Sequence, residues 1–258
     1  MRRRSAFLAV AAFLAALPFL LVACGDNDGE DEASQTLAPT ETLVTSSPAD
    51  LASYRFEIDV WIMPSVLDTS EAPSGLSLDK PITLTIDGER LNPDREHAHT
   101  TANLNFLQIE TESVTVGDRM WIREGSRPWE EGGSSILATY VGADFRPSVL
   151  FADDVGQYDL IAEQLRSYPS TEESLEGVPT RRFTLDQEAF YKLFQSDGVV
   201  LPTELNATLS AEIWVEQERG VPLRLEVVGV DEASDEVIRL AVRLFDLDTD
   251  DIEIEPPA

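Results

Sequence analysis

Tyr54-Arg55-Phe56-Glu57-Ile58-Asp59-Val60-Trp61-Ile62 alternates apolar and polar or charged side chains at a period of two. Only a strand places every second side chain on one face, so this stretch predicts a half-buried β-strand opening the folded domain near Asp50. The same rhythm returns downstream. Ile82, Leu84 and Ile86 repeat it up to a turn signal at Asp87-Gly88, and Leu104, Phe106, Leu107 and Ile109 suggest a strand whose facing shifts. Val114 and Val116 run into Gly117-Asp118, a two-residue hairpin turn, and Met120-Trp121-Ile122 returns from it. In the last third, Leu209, Ala211, Ile213 and Val215 alternate with Ser210, Glu212, Trp214 and Glu216. A turn at Glu218-Arg219-Gly220 leads to Leu223, Leu225 and Val227, and Ile238, Leu240, Val242 and Leu244 close the series. The pattern is that of an antiparallel meander with one wet face.

The middle of the chain has a different period. Pro147-Ser148 can start a helical stretch carrying Leu150, Val155, Tyr158, Ile161 and Leu165 to about Arg166, with Gly156 admitting a break. Leu175-Glu176-Gly177-Val178-Pro179-Thr180 reads as a hairpin turn before a strand through Phe183 and Leu185. Asp186 is placed to cap a helix over Gln187–Gln195 whose Phe190, Leu193 and Phe194 face inward. The expected fold is therefore α+β, a strongly curved, mostly antiparallel sheet of about nine to eleven strands enclosing inserted helices.

Ahead of the sheet lies a targeting segment. Arg2, Arg3 and Arg4 precede an apolar run from Ala6 to Ala23 that ends in Leu21-Val22-Ala23-Cys24, after which the chain turns polar. A basic start, a short apolar middle and small residues before a cut site describe a secretory signal. The ending matches the bacterial lipobox and resembles a lipoprotein signal peptide. That resemblance implies a thioether-linked diacylglycerol on Cys24, the sole cysteine, and cleavage before it. Removing Arg2, Arg3 and Arg4 takes the formal net charge from −29 to −32. So acidic a chain is not expected to bind nucleic acid or to gain from anionic headgroups. Two acyl chains suffice for stable anchoring, each buried methylene giving ~0.8 kcal/mol. The expected organisation is a signal peptide over residues 1–23, a lipidated acidic tether over 24–49, a sheet domain over 50–250 and an acidic tail over 251–258. The tether, rich in Asp, Glu, Ser and Thr, lacks the apolar side chains needed to offset ordering entropy and is expected to be disordered. The expected location is the extracytoplasmic face of a bacterial cell membrane.

Area bookkeeping gives the domain a purpose. About nine strands at ~4.8 Å spacing and ~25–30 Å length present an apolar face on the order of 1,100–1,300 Å². The two helical segments cover about 450 Å². An apolar excess of this size marks a binding surface. The cavity residues expected from alternation are Phe56, Ile58, Val60, Ile62, Ile82, Leu84, Ile86, Leu150, Tyr158, Ile161, Leu165, Phe190, Leu193, Phe194, Leu209, Ile213, Leu223, Leu225, Ile238, Leu240 and Val242. The ligand expected there is apolar, a lipid by preference, with no cofactor.

Several short patterns share a family likeness: Tyr54-Arg55-Phe56, Val116-Gly117-Asp118-Arg119-Met120-Trp121-Ile122 before Trp129, Leu175 to Thr180, and Glu212-Ile213-Trp214-Val215 ahead of Gly220-Val221-Pro222-Leu223-Arg224. With the lipobox and the meander, the chain resembles the LolA/LppX-like lipoprotein-carrier superfamily, and is most similar to the mycobacterial LppX/LprG type. The resemblance implies a half-open β-barrel around a cavity for acyl chains, in proteins that bind or ferry lipids, with no catalytic residues. Some relatives act as envelope sensors, which leaves a filled core and an envelope protein partner as the alternative expectation.

Catalytic and metal patterns are weak. His97 and His99, the only histidines, sit near Asp94 and Glu96, but no further zinc ligand is recognisable. Asp246, Asp248 and Asp250 copy the opening of a calcium loop, yet Asp251 and Pro257 stand where Gly and Glu are needed. No nucleophile elbow or phosphate loop is present, so an enzyme is not expected. Of the four tryptophans, Trp61 and Trp214 are expected on the outer face.

Overall fold

A computed structural model describes residues 46–66, 77, 79–105, 107–133, 164–194 and 206–257. Eleven strands occur in chain order: β1 Ser53–Ile62, β2 Ile82–Leu91, β3 Arg95–Asn103, β4 Gln108–Val116, β5 Arg119–Glu124, β6 Glu130–Glu131, β7 Ser170–Leu175, β8 Val178–Leu185, β9 Thr208–Glu216, β10 Pro222–Val230 and β11 Glu236–Phe245. They form one sheet in the order β6-β5-β4-β3-β2-β1-β11-β10-β9-β8-β7, and every neighbouring pair is antiparallel. One helix with defined bounds, α1 over Gln187–Phe194, lies among the described residues and packs on β9 and β8. Strands twist by roughly 20–25° from neighbour to neighbour, so ten pairings accumulate well over half a turn and a sheet of this size curls.

Register explains the shared apolar face. Ile58, Val60 and Ile62 stand opposite Ile86, Leu84 and Ile82 on one side and opposite Val242, Leu240 and Ile238 on the other. The face continues through Leu225 and Val227 to Ile213 and Ala211, then to Phe183 and Leu185. All of these belong to one buried cluster. Each fully buried aliphatic side chain contributes about 1.5–3 kcal/mol, so this belt holds the two halves of the sheet together.

The turns follow their residue types. Gly117, Glu176, Gly177 and Gly220 all adopt left-handed backbone at hairpin ends, as expected from the sequence. The Asp186 carboxylate accepts from the Ala189 amide at 2.9 Å, capping α1 as predicted. At the domain start Ser47 and Asp50 form a reciprocal capping box around a short 3-10 turn over Pro48–Asp50.

Three expectations need correction. Asp87-Gly88 is not a turn: β2 runs through it to Leu91, with Phe56 opposite Gly88. A Cβ on Gly88 would lie 2.4 Å from the Phe56 Cζ and 2.7 Å from the His97 carbonyl oxygen, so glycine is there for close approach. The polar segment with the two histidines is strand β3, and Leu104 and Leu107 belong to the connection after it. Trp214 does point away from the main apolar face, but it is buried, stacked beneath Arg224 and donating its indole N–H to Glu173.

Candidate functional site: the apolar face of the sheet

Sixteen of the expected cavity positions lie on strands or on α1 within the main buried cluster: Phe56, Ile58, Val60, Ile62, Ile82, Leu84, Ile86, Phe190, Leu193, Leu209, Ile213, Leu223, Leu225, Ile238, Leu240 and Val242. Leu165 belongs to it as well, sitting in a helical turn with Gln164. Their exposures run from 0% at Phe56, Ile58, Ile86 and Ile238 to 7% at Leu225 and Val242. Cys24, Leu150, Tyr158, Ile161 and the side chain of Phe194 lie outside the described residues.

The face has a gradient of side-chain size that alternation of large apolar residues does not reveal. From β1 towards β10 it is built of Ile, Leu, Val and Phe. Across β3 and β4 the inward positions are Ala98, Thr100 and Ala102, registered against Ser113, Thr111 and Ile109. Small side chains make this flank the shallowest part of the face. Thr111, 7% exposed, keeps a buried hydroxyl oxygen without a hydrogen-bond partner. The sequence signal for β3, Ala-x-Thr-x-Ala interleaved with histidines, is periodic but too weakly apolar to register as a strand.

One end of the face is polar. Arg90 and Glu96 face each other across β2 and β3, with Arg90 Nη1 3.4 Å from Glu96 Oε2 and side-chain exposures of 11% and 4%. Arg90 also donates to Asn92 Oδ1 at 2.7 Å and to the Pro93 carbonyl at 2.8 Å. Asn92 in turn donates to the carbonyls of Pro48 and Leu51. Tyr54 stands opposite Arg90. This network closes the end of the β1–β3 region with satisfied polar groups, as burial requires.

The opposite surface carries the charges. His97 Nε2 lies 2.9 Å from Glu112 Oε1 and His97 Nδ1 3.7 Å from Glu89 Oε1, while His99 Nδ1 lies 3.4 Å from Asp87 Oδ2. Each histidine thus has its own carboxylate, and among the described residues no group of three or more His, Cys, Asp and Glu is arranged to hold a metal. Two of the three aspartates of the calcium-like run are engaged elsewhere. Asp246 pairs with Arg55 at 2.8 Å, and Asp248 pairs with Arg219 at 2.7 Å and accepts from the Ala52 amide.

Burial raises the Glu112 carboxyl, but hydrogen bonds from His97 and Arg123 outweigh it and hold the group below the usual carboxylate range. A depressed folded-state value contributes stability above the unfolded carboxyl range, and that contribution disappears as pH falls through the folded value. Glu112→Gln is therefore expected to lower the melting temperature at pH 7 and to lose most of that effect at pH 3. Thermal denaturation of both proteins at the two pH values checks this; an equal deficit at both would contradict it.

Comparison with known proteins adds little to this geometry. No protein-family model matches the chain, and no curated protein matches it. Among solved structures, one that is similar is a LolA superfamily protein from Nitrosomonas europaea. It has 10% sequence identity and a TM-score of 0.28, covering 80% of this chain and 89% of that one. Among the described residues no helix is long and apolar enough to cross a membrane.

Proposed function

We propose that the chain is a lipid-anchored, extracytoplasmic binding protein whose sheet holds a lipid or another apolar ligand on its main apolar face. The observation that carries this reading is the extent of that face. Among the described residues it runs continuously from β4 to β8, while α1, eight residues and ~12 Å long, packs chiefly against β9 and β8. The likeness of the short strand and turn patterns to LolA/LppX-type carriers supports the same ligand class, with a half-open barrel as the finer form of the fold. The small-residue flank over Ala98, Thr100, Ala102 and Thr111 offers the least bulk to an incoming acyl chain.

Native mass spectrometry of the domain from residue 46 onward tests the reading. The expected result is a co-purified or titratable lipid as a discrete added mass. A bare mass under lipid titration would overturn it. A second reading, an interaction lipoprotein with a filled core, is favoured by the exposures of 0–7% along the face, which show these side chains already covered. A stoichiometric crosslinked protein partner with no bound lipid would decide for that second reading.

The anchor has its own test. With Leu21-Val22-Ala23-Cys24 as the modification site, Cys24→Ser is expected to abolish incorporation of a clickable fatty acid in bacterial cells and to retain the signal segment, raising the apparent mass. Undiminished labelling would rule out acylation at Cys24.

A further inference from the structure

On the surface opposite the main apolar face, a second apolar cluster joins Val114 and Trp121 to Ile252 and Ile254, with Leu91, Val116 and Trp129 packed against it. Its floor is a row across five strands. Ser53 pairs with Leu91, Leu91 with Arg95, Arg95 with Val116 and Val116 with Arg119, so all five side chains share the outer surface. Four inter-strand gaps of ~4.8 Å make this row ~19 Å long. The segment Thr249–Ile254 crosses it. An extended chain advances ~3.3 Å per residue, so five steps cover ~17 Å and lead from Ser53 to the β4–β5 flank.

The way this strap is held separates it from an ordinary strand. Residues 252–257 are in neither strand nor helix. Near the start, Ser53 Oγ donates to the Thr249 carbonyl at 2.7 Å and Arg55 Nη2 lies 3.2 Å from Asp251. At the far end Arg95 Nη1 donates to the Ile254 carbonyl at 3.2 Å. Between them, Ile252 and Ile254 are 4% and 3% exposed while Glu253 and Glu255 point to solvent. Arg119 and Arg123 stack over Trp121 and Trp129 at 4.6 and 4.7 Å. Their guanidiniums are paired with Glu131 and Glu112, so the strap is held by its two isoleucine knobs and by Arg55 and Arg95.

We infer that this row is a docking slot for an extended segment of another protein, of the pattern aspartate-aliphatic-x-aliphatic, and that Thr249–Ile254 occupies it in cis until displaced. The inference stands apart from any ligand on the other face. Recognition is by two apolar sockets and by arginines at the ends, so a partner with the same pattern makes the same contacts. A tethered competitor acts at an effective concentration of order mM. A strap with ~10 µM intrinsic affinity then weakens a partner segment about 100-fold.

The probe is a fluorescein-labelled peptide with the sequence of residues 249–257, titrated by anisotropy into the full chain and into the full chain carrying Ile252→Asp and Ile254→Asp. The double variant, folded by circular dichroism, is expected to bind at least 10-fold more tightly than the unaltered chain, and a peptide with the same two substitutions to bind neither. Equal affinity, or no binding to the folded variant, would overturn the proposal. Should the variant unfold, hydrogen exchange on the unaltered chain decides: saturating peptide is expected to speed exchange at residues 251–255, and unchanged protection refutes displacement. If the variant instead doubles its mass in light scattering without binding peptide, the slot serves a second copy and the partner assignment fails.

Discussion

Phe56→Ala is expected to destabilise the domain by about 3–5 kcal/mol, the range for deleting a fully buried aromatic side chain. Phe56 is 0% exposed and its ring lies over Gly88, where no side chain could fill the space it leaves. Leu244 and Gly88 flank it in register on the neighbouring strands, and the Tyr54 ring is 6.3 Å away. All are anchored on strand backbones, so the hole closes only partly. Urea denaturation checks the figure through a lower midpoint at unchanged slope. A loss below about 1 kcal/mol would mean that the central strand is loosely packed. If the face holds lipid, added lipid leaves the deficit between the two proteins unchanged where binding survives the substitution and widens it where binding is lost.

Glu96→Ala is expected to cost a similar amount, about 3–5 kcal/mol, for an electrostatic reason. The substitution leaves the Arg90 guanidinium, 11% exposed, without its carboxylate, and an uncompensated buried charge is costly. Asn92 and the Pro93 carbonyl still accept from Arg90, but neither carries charge. Replacing both members, Arg90→Met with Glu96→Leu, removes the charge along with its partner and is expected to cost much less than the single change. The unaltered chain, Arg90→Met, Glu96→Leu and their double form a double-mutant cycle measured by urea denaturation. A double variant as unstable as the sum of the singles would show that the two side chains act separately.

What could be read in the sequence depended on side-chain size and on local periodicity. β1, β2, β9, β10 and β11 announce themselves because large aliphatic residues such as Ile58, Leu84 and Val242 recur at every second position. β3 escapes because Ala98 and Ala102 carry too little apolar area to stand out against His97, His99 and Thr101. Gly88 misleads for a three-dimensional reason: its lack of a side chain answers to Phe56 on the next strand, and sequence neighbours carry no trace of that. The segment after Asp246 looks like a solvated acidic end, since aspartates and glutamates outnumber its two isoleucines. Only the register of Val114 with Trp121 shows what those isoleucines cover. Among the described residues, the expected cavity positions that lie on strands share one face. Whether that face encloses a ligand depends on depth, and a one-dimensional pattern contains no depth.

The pairing of β1 with β11 bears on how the domain is assembled. The first and last strands meet at the middle of the sheet, joining residues almost two hundred positions apart. The β1–β5 half can zip up early through hairpins, yet β1 keeps a bare hydrogen-bonding edge until β11 arrives. Such remote pairings close slowly, because the intervening chain must give up its freedom first. A polypeptide emerging from its N-terminus therefore stays incomplete until residue 245 is free. The same delay leaves the β1 edge open to misplaced strand pairing through most of synthesis.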